Sequence, residues 1–226
     1  MLGQLTAEEG WGGRAERGEL YGLPVLRTRA NWEGFWGEGR LRRAGRALRR
    51  GGAMRALVPR DFGRWDVLGR CGLVPVDPGP FLRGQSLPLT LRALERRGLA
   101  PDRATVALRG ARADREMARE AVRLCSRVRR LVIDAPRGGE ELAKWLRWQL
   151  GVPILPRGEQ GELALRFDPE GRAGEEPALE LYGQTPALEG MALTAPGLEE
   201  EDRGDLALLA ALWEGGRLGS SQIKIT

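Results

Sequence analysis

Thr105-Val106-Ala107-Leu108-Arg109-Gly110-Ala111-Arg112-Ala113-Asp114-Arg115-Glu116-Met117 is the stretch from which the fold is read. Its first five residues have strand composition, Gly110 breaks the run, and Asp114 is a helix-capping residue set just before an amphipathic segment. Residues 114–128 place Met117, Ala121, Cys125 and Val128 on one helical face. Residues 130–134 then supply a second apolar strand, Leu131-Val132-Ile133, that ends on Asp134. A strand, a glycine turn, a helix and a strand within about thirty residues form the crossover that joins parallel strands.

The same rhythm extends in both directions. Downstream, residues 139–150 read as a helix with Leu142, Trp145 and Leu146 inward and Gly151 as its stop, followed by a strand at 152–155. Strands at 163–167 and 178–182 enclose a glycine-containing acidic loop, a short apolar helix spans 205–213, and Ile223-Lys224-Ile225 has edge-strand character. Upstream, Pro78, Pro80 and Pro88 break the chain before a linking helix at 89–97. Before them come strands at 54–59 and 73–76 around a helix at 62–71, a helix at 40–50 and a strand at 22–29. The first twenty residues, rich in glycine and charge and holding Trp11, show no period and read as irregular.

With 226 residues, two hydrophobic cores are expected. The expected fold class is α/β: a parallel sheet flanked by helices in residues 89–226, preceded by a smaller N-terminal α/β lobe in residues 1–88.

Composition excludes several chemistries. There is no histidine, which removes the usual neutral-pH general base, the usual zinc ligand and every Ser-His or Cys-His nucleophile pair. Cys71 and Cys125 have no ligand spacing and read as small buried hydrophobes. No apolar run is long enough to span a bilayer and no basic-then-apolar leader opens the chain, so the expected address is cytoplasmic, with no membrane partner. The net charge is +5, but residues 158–226 hold 5 basic and 14 acidic residues, leaving a basic body with an acidic end. Lys144 and Lys224 are the only lysines among 36 basic residues. The rest are arginines, a composition typical of a GC-rich genome.

Ligands of open α/β sheets sit at the carboxyl ends of strands, where a helix's first turn offers free N–H groups and the positive end of its dipole. Gly110, Arg112, Arg115 and Asp134 are therefore the candidate binding residues. Asp134 follows Gly110 by 24 residues, close to the spacing of a ribose-binding carboxylate. On these residues the segment resembles the Rossmann-like NAD(P)-binding superfamily. The order of small lobe, linking helix and crossover unit is similar to the amino-acid and shikimate dehydrogenase arrangement.

The resemblance implies a dinucleotide-type cradle whose fingerprint keeps Gly110 at its first position and places Arg112 and Arg115 at its second and third. A side chain at the second position blocks the approach of pyrophosphate, and one at the third disturbs helix-to-strand packing. The site reads as degenerate, and the protein as a non-catalytic binding or scaffolding module. Its ligand would be a small anionic molecule or nucleotide held by Arg109, Arg112 and Arg115. In the plainer alternative these arginines are solvated, Asp114 is only a cap, and Asp134 pairs with Arg137.

Two further function classes remain. A nucleotide-dependent oxidoreductase or transferase would draw its proton carriers from Lys144, the carboxyl groups, Tyr21 and Tyr182. A nucleic-acid-binding protein would use the arginine-rich helix at 40–50, near which only Trp32, Phe35 and Trp36 cluster as aromatics. That triplet reads more plainly as a hydrophobic anchor between lobes. Arg137-Gly138-Gly139 would flank the candidate cleft, Trp145 and Trp148 read as core, and the acids at 199–202 read as a solvated loop. No pattern specifies a cofactor or an oligomeric state.

Overall fold

The computed structural model describes residues 1–8 and 13–226; Trp11 lies outside the described residues. The chain forms two compact units, one of Met1–Val76 with Leu198–Gly219, the other of Asp77–Gly197 with Ser220–Thr226. Each has its own five-stranded sheet.

The first unit contains β1 (Leu2–Thr6), β2 (Glu16–Leu20), β3 (Leu23–Arg29), α1 (Gly37–Arg50), β4 (Arg55–Leu57), α2 (Trp65–Arg70) and β5 (Val74–Pro75). Its sheet runs β2-β3-β1-β4-β5, parallel except for the antiparallel β2–β3 pair. Leu41, Ala44 and Leu48 of α1 join Val67 and Leu68 of α2 over Leu5 and Leu26 of the sheet in one buried cluster. Burying each leucine contributes about 2 kcal/mol. Gly3 has no side chain because a Cβ there would lie 3.2 Å from Leu48 and 3.3 Å from Ala53.

Both β1 and β2 fall in the stretch expected to be irregular. The reason is physical: β1 is only five residues long with a glycine among its buried positions, and β2 is an almost fully exposed edge strand. What makes β2 is its turn. Tyr21 and Gly22 adopt φ of 50° and 80°, the paired left-handed conformation of a two-residue hairpin loop, with Leu20 facing Leu23.

The second unit opens with α3 (Gly79–Gly84) and α4 (Ser86–Arg96). Pro80 and Pro88, expected to break the chain, lie in the first turns of these helices, where the backbone needs no N–H donor. Next come β6 (Thr105–Arg109), α5 (Arg115–Cys125), β7 (Arg130–Asp134), α6 (Gly139–Leu150), β8 (Ile154–Leu155), β9 (Leu163–Arg166) and β10 (Ala178–Glu180). All five strands are parallel, in the order β10-β9-β6-β7-β8. Leu155, Val132, Ala107, Ala164 and Ala178 stand side by side across the whole sheet. Every residue of β6 is buried, as a central strand covered on both faces requires.

The chain then forms β11 (Leu193–Thr194), enters the first unit with α7 (Leu206–Glu214), and closes with β12 (Lys224–Ile225) antiparallel to β11. By position in the chain α7 is expected in the second lobe, residues 89–226, but it packs in the first unit. Residues 208–212 of this helix are all buried, and such an all-round apolar helix does not declare in sequence which core it completes. Glu214 fixes it through paired hydrogen bonds of 2.6 and 3.1 Å from Arg55. Among the described residues, no helix is long and apolar enough to cross a membrane.

Candidate functional site

Strand order locates the site. In the second sheet the chain leaves β6 through α5 toward β7 on one side, whereas β9, the other neighbour of β6, leads away to β10. The crevice where adjacent connections diverge lies beyond the carboxyl ends of β6 and β9. It is bounded by the Gly110 turn and by Phe167-Asp168, and a cleft of about 360 Å³ opens there, lined by Arg83, Arg112, Arg137, Asp168 and Glu170 among others.

The inner part of this crevice is filled by the chain itself. Asp168 accepts a 2.8 Å hydrogen bond from the Ala111 N–H on one carboxylate oxygen and a 2.7 Å bond from the Gly171 N–H on the other. Asp114 caps α5 by accepting from the Met117 N–H at 2.9 Å, and the Ala113 N–H donates to the Arg137 carbonyl at 2.8 Å. The Ala111, Ala113 and Met117 amides are thus engaged, and the charge in front of Ala111 is already negative. The fit is also steric. A Cβ on Gly110 would lie 2.9 Å from Asp168 Oδ2, and one on Gly171 would lie 2.9 Å from the Gly110 backbone.

Behind the turn sits an ionic cluster. Arg109 is only 1% exposed. Its Nη1 lies 2.5 Å from Asp134 Oδ2, its Nε donates to Glu176 Oε1 at 2.6 Å, and its Nη2 donates to the Glu159 carbonyl at 3.2 Å. Arg157 Nε holds the second oxygen of Asp134 at 3.0 Å. Arg109, Asp134 and Glu176 are buried and the half-exposed Arg157 supplies the second positive charge, so the buried carboxylates are compensated where an unpaired charge would cost several kcal/mol.

The sequence-derived residues therefore separate. Arg112 and Arg115 are exposed, Gly110 lies beneath the Asp168 turn, and Asp134 is 1% exposed with both oxygens occupied. Asp134 pairs with Arg109 and Arg157, not Arg137. Arg109, expected to face a ligand, is consumed inside the cluster. The side chain expected over the turn was that of Arg112; the groups packed on it are Asp168 and Gly171. The sequence carried a signal for it: Asp168-Pro169-Glu170-Gly171 directly after a strand is turn chemistry, with the aspartate side chain accepting from the backbone.

Burial, aided by the 2.6 Å hydrogen bond to Asp202, pushes the Tyr21 phenol up to about 12. Burial and Glu180 likewise raise Tyr182, and burial raises the Cys125 thiol. Among the described residues, no cluster of acids or cysteines could hold a metal ion. Trp145 and Trp148 are 47% and 86% exposed because α6 turns Leu142, Ala143 and Leu146 inward. Trp32 packs edge-on to Phe62 at 5.2 Å, but Phe35 and Trp36 stand in solvent.

The second unit is thus an α/β domain with a Rossmann-like parallel sheet that carries the Asp168 carboxylate against the Ala111 N–H at its switch point. No protein-family model and no curated protein matches the sequence. Among solved structures, the chain is similar to L-tryptophan dehydrogenase from Nostoc punctiforme, with 16% identity and a TM-score of 0.30. The similarity covers 64% of this chain and 44% of the dehydrogenase, so the chain spans less than half of that protein's length.

Proposed function

We propose that the protein is a cytoplasmic, non-catalytic binding or scaffolding module whose dinucleotide cradle has been replaced by internal contacts. The observation that supports this reading is the Asp168 carboxylate over the Ala111 N–H at 2.8 Å, where a pyrophosphate would have to sit. A dinucleotide does not fit these residues: its phosphates would meet a like charge, and its ribose would find Asp134 already held on both oxygens. Any ligand of this unit is a small anion on the outer side of the turn, taken by the exposed Arg112 and Arg115. Gly110 and Asp134 contribute only by shaping the closed interior.

Thermal unfolding in the presence of NAD, NADP, ATP and inorganic phosphate tests this. A dinucleotide present at a hundred times its Kd would add about 2.7 kcal/mol to stability. The expected result is no shift with any dinucleotide and at most a small one with phosphate. A clear rise with NAD or NADP would replace this reading with that of a nucleotide-dependent enzyme.

A further inference from the structure

Helix α1 carries six arginines and one acid in 14 residues. Its apolar face is fully occupied: Leu41, Ala44 and Leu48 are buried in the first unit's core. The opposite face is a band of exposed Arg42, Arg43, Arg46, Arg49 and Arg50, about 12 Å long. The single acid, Glu38, is 2.6 Å from Arg42, 3.9 Å from Arg64 and 3.8 Å from Arg70, so it cannot neutralise the rest. Among the described residues, Arg46, Arg49 and Arg50 have no ion-pair partner.

Two aromatic rings head this band. Phe35 is 91% and Trp36 69% exposed, with ring centroids 5.1 Å apart and planes at 89°. Trp36 is the residue immediately before α1, and Arg40, Arg43 and Arg50 follow it at spacings of i+4, i+7 and i+14 along one face. The basic surface continues beyond the helix. Gly13 lies against the Arg43 stem, where a Cβ would be 3.6 Å from Cδ, and opens a groove of about 400 Å³ lined by four arginines, Arg14, Arg17, Arg27 and Arg29, and one acid, Glu16, with Arg29 paired to Glu8 at 3.1 Å.

We propose that this face binds single-stranded nucleic acid, with bases stacked on Phe35 and Trp36 and phosphates running along the α1 arginines toward the groove. Exposed rings beside a basic track are what unpaired bases recognise, since each base offers a π-face and each linkage a negative charge. A duplex hides its base faces from such rings. An anionic membrane is a poorer match: a surface helix inserts through a free apolar face, and that of α1 is already buried.

The test is fluorescence anisotropy of the full chain with labelled oligothymidylate and oligouridylate of about twenty nucleotides, against a duplex of the same length and phosphatidylserine vesicles. The single strands are expected to bind, with affinity falling as salt rises by about 0.7 log units per log unit of salt for each phosphate contacted. The double variant Phe35→Ala/Trp36→Ala should weaken binding about tenfold or more and leave that slope unchanged, whereas Arg46→Ala/Arg50→Ala should flatten the slope by about 1.4. All four positions are exposed, and circular dichroism checks that the variants fold. Failure to bind either single strand at low salt, indifference to loss of both rings, or preference for duplex or vesicles would overturn the proposal.

Discussion

The two sheets end differently at their carboxyl edges. In the first unit the chain leaves β1 and β4 in opposite directions, and beyond their ends lies a cleft of about 250 Å³ walled by Thr6, Ala7, Val58 and Pro59, with Asp202 and Leu208 facing them. In the second unit the corresponding crevice holds Asp168 on the Ala111 N–H and the Arg109 cluster behind it. Parallel topology creates a crevice in both, and each keeps a cleft at its mouth; the loops decide which groups meet the strand ends. After β9 a short Asx-type turn carries a carboxylate to the Ala111 amide of the turn that follows β6, and stability there depends on a complete set of charges.

The largest effect is expected where that set is broken. Arg109→Met leaves Asp134 and Glu176 buried without their shared cation and should destabilise the second unit by about 3–5 kcal/mol. Denaturant titration measures it, and a loss near zero would mean the cluster is hydrated. Asp168→Ala strips the acceptor from two backbone N–H groups and should cost about 1–3 kcal/mol in the same experiment. It also removes the charge that repels anions, so a phosphate-induced thermal shift should be larger in this variant than in the parent.

A matched pair sharpens the contrast between units. Asp114 caps α5 and Asp205 caps α7, each accepting from the N–H three residues on at 2.9 Å. Alanine at either position should cost about 1 kcal/mol. If Asp114→Ala proved far more damaging, its role would extend to the ionic cluster.

The smallest effect is confined to alkaline solution. The Tyr21 phenol titrates at about 12 in the folded chain, above its unfolded value of about 10. The stabilisation it supplies is therefore complete below pH about 10 and is lost as pH rises toward 12. Tyr21→Phe should flatten stability across that window, and ultraviolet titration of the phenol reads the value directly.

Legibility in sequence followed how local the cause of each element was. The Leu131-Val132-Ile133 run and the Met117, Ala121, Cys125 face state their own burial, so β7 and α5 stand close to where their periodicity puts them. Edge strand β2 owes its existence to the Tyr21-Gly22 turn and its partner β3, and nothing in its own residues says so. Helix α7 is apolar enough to suit either core. At the site, Gly110 and Asp114 were readable as turn and cap. Asp168, 58 residues beyond Gly110, meets the turn only because β9 lies beside β6.

The occupancy of the cradle is tested most directly at the Ala111 amide. In a nitrogen-15 spectrum its resonance should differ between the parent and Asp168→Ala, as a hydrogen-bond partner of Asp168 must, and in the parent should stay in place when NAD or NADP is added at neutral pH. A saturable shift of that amide by either dinucleotide would contradict a cradle filled by the chain itself.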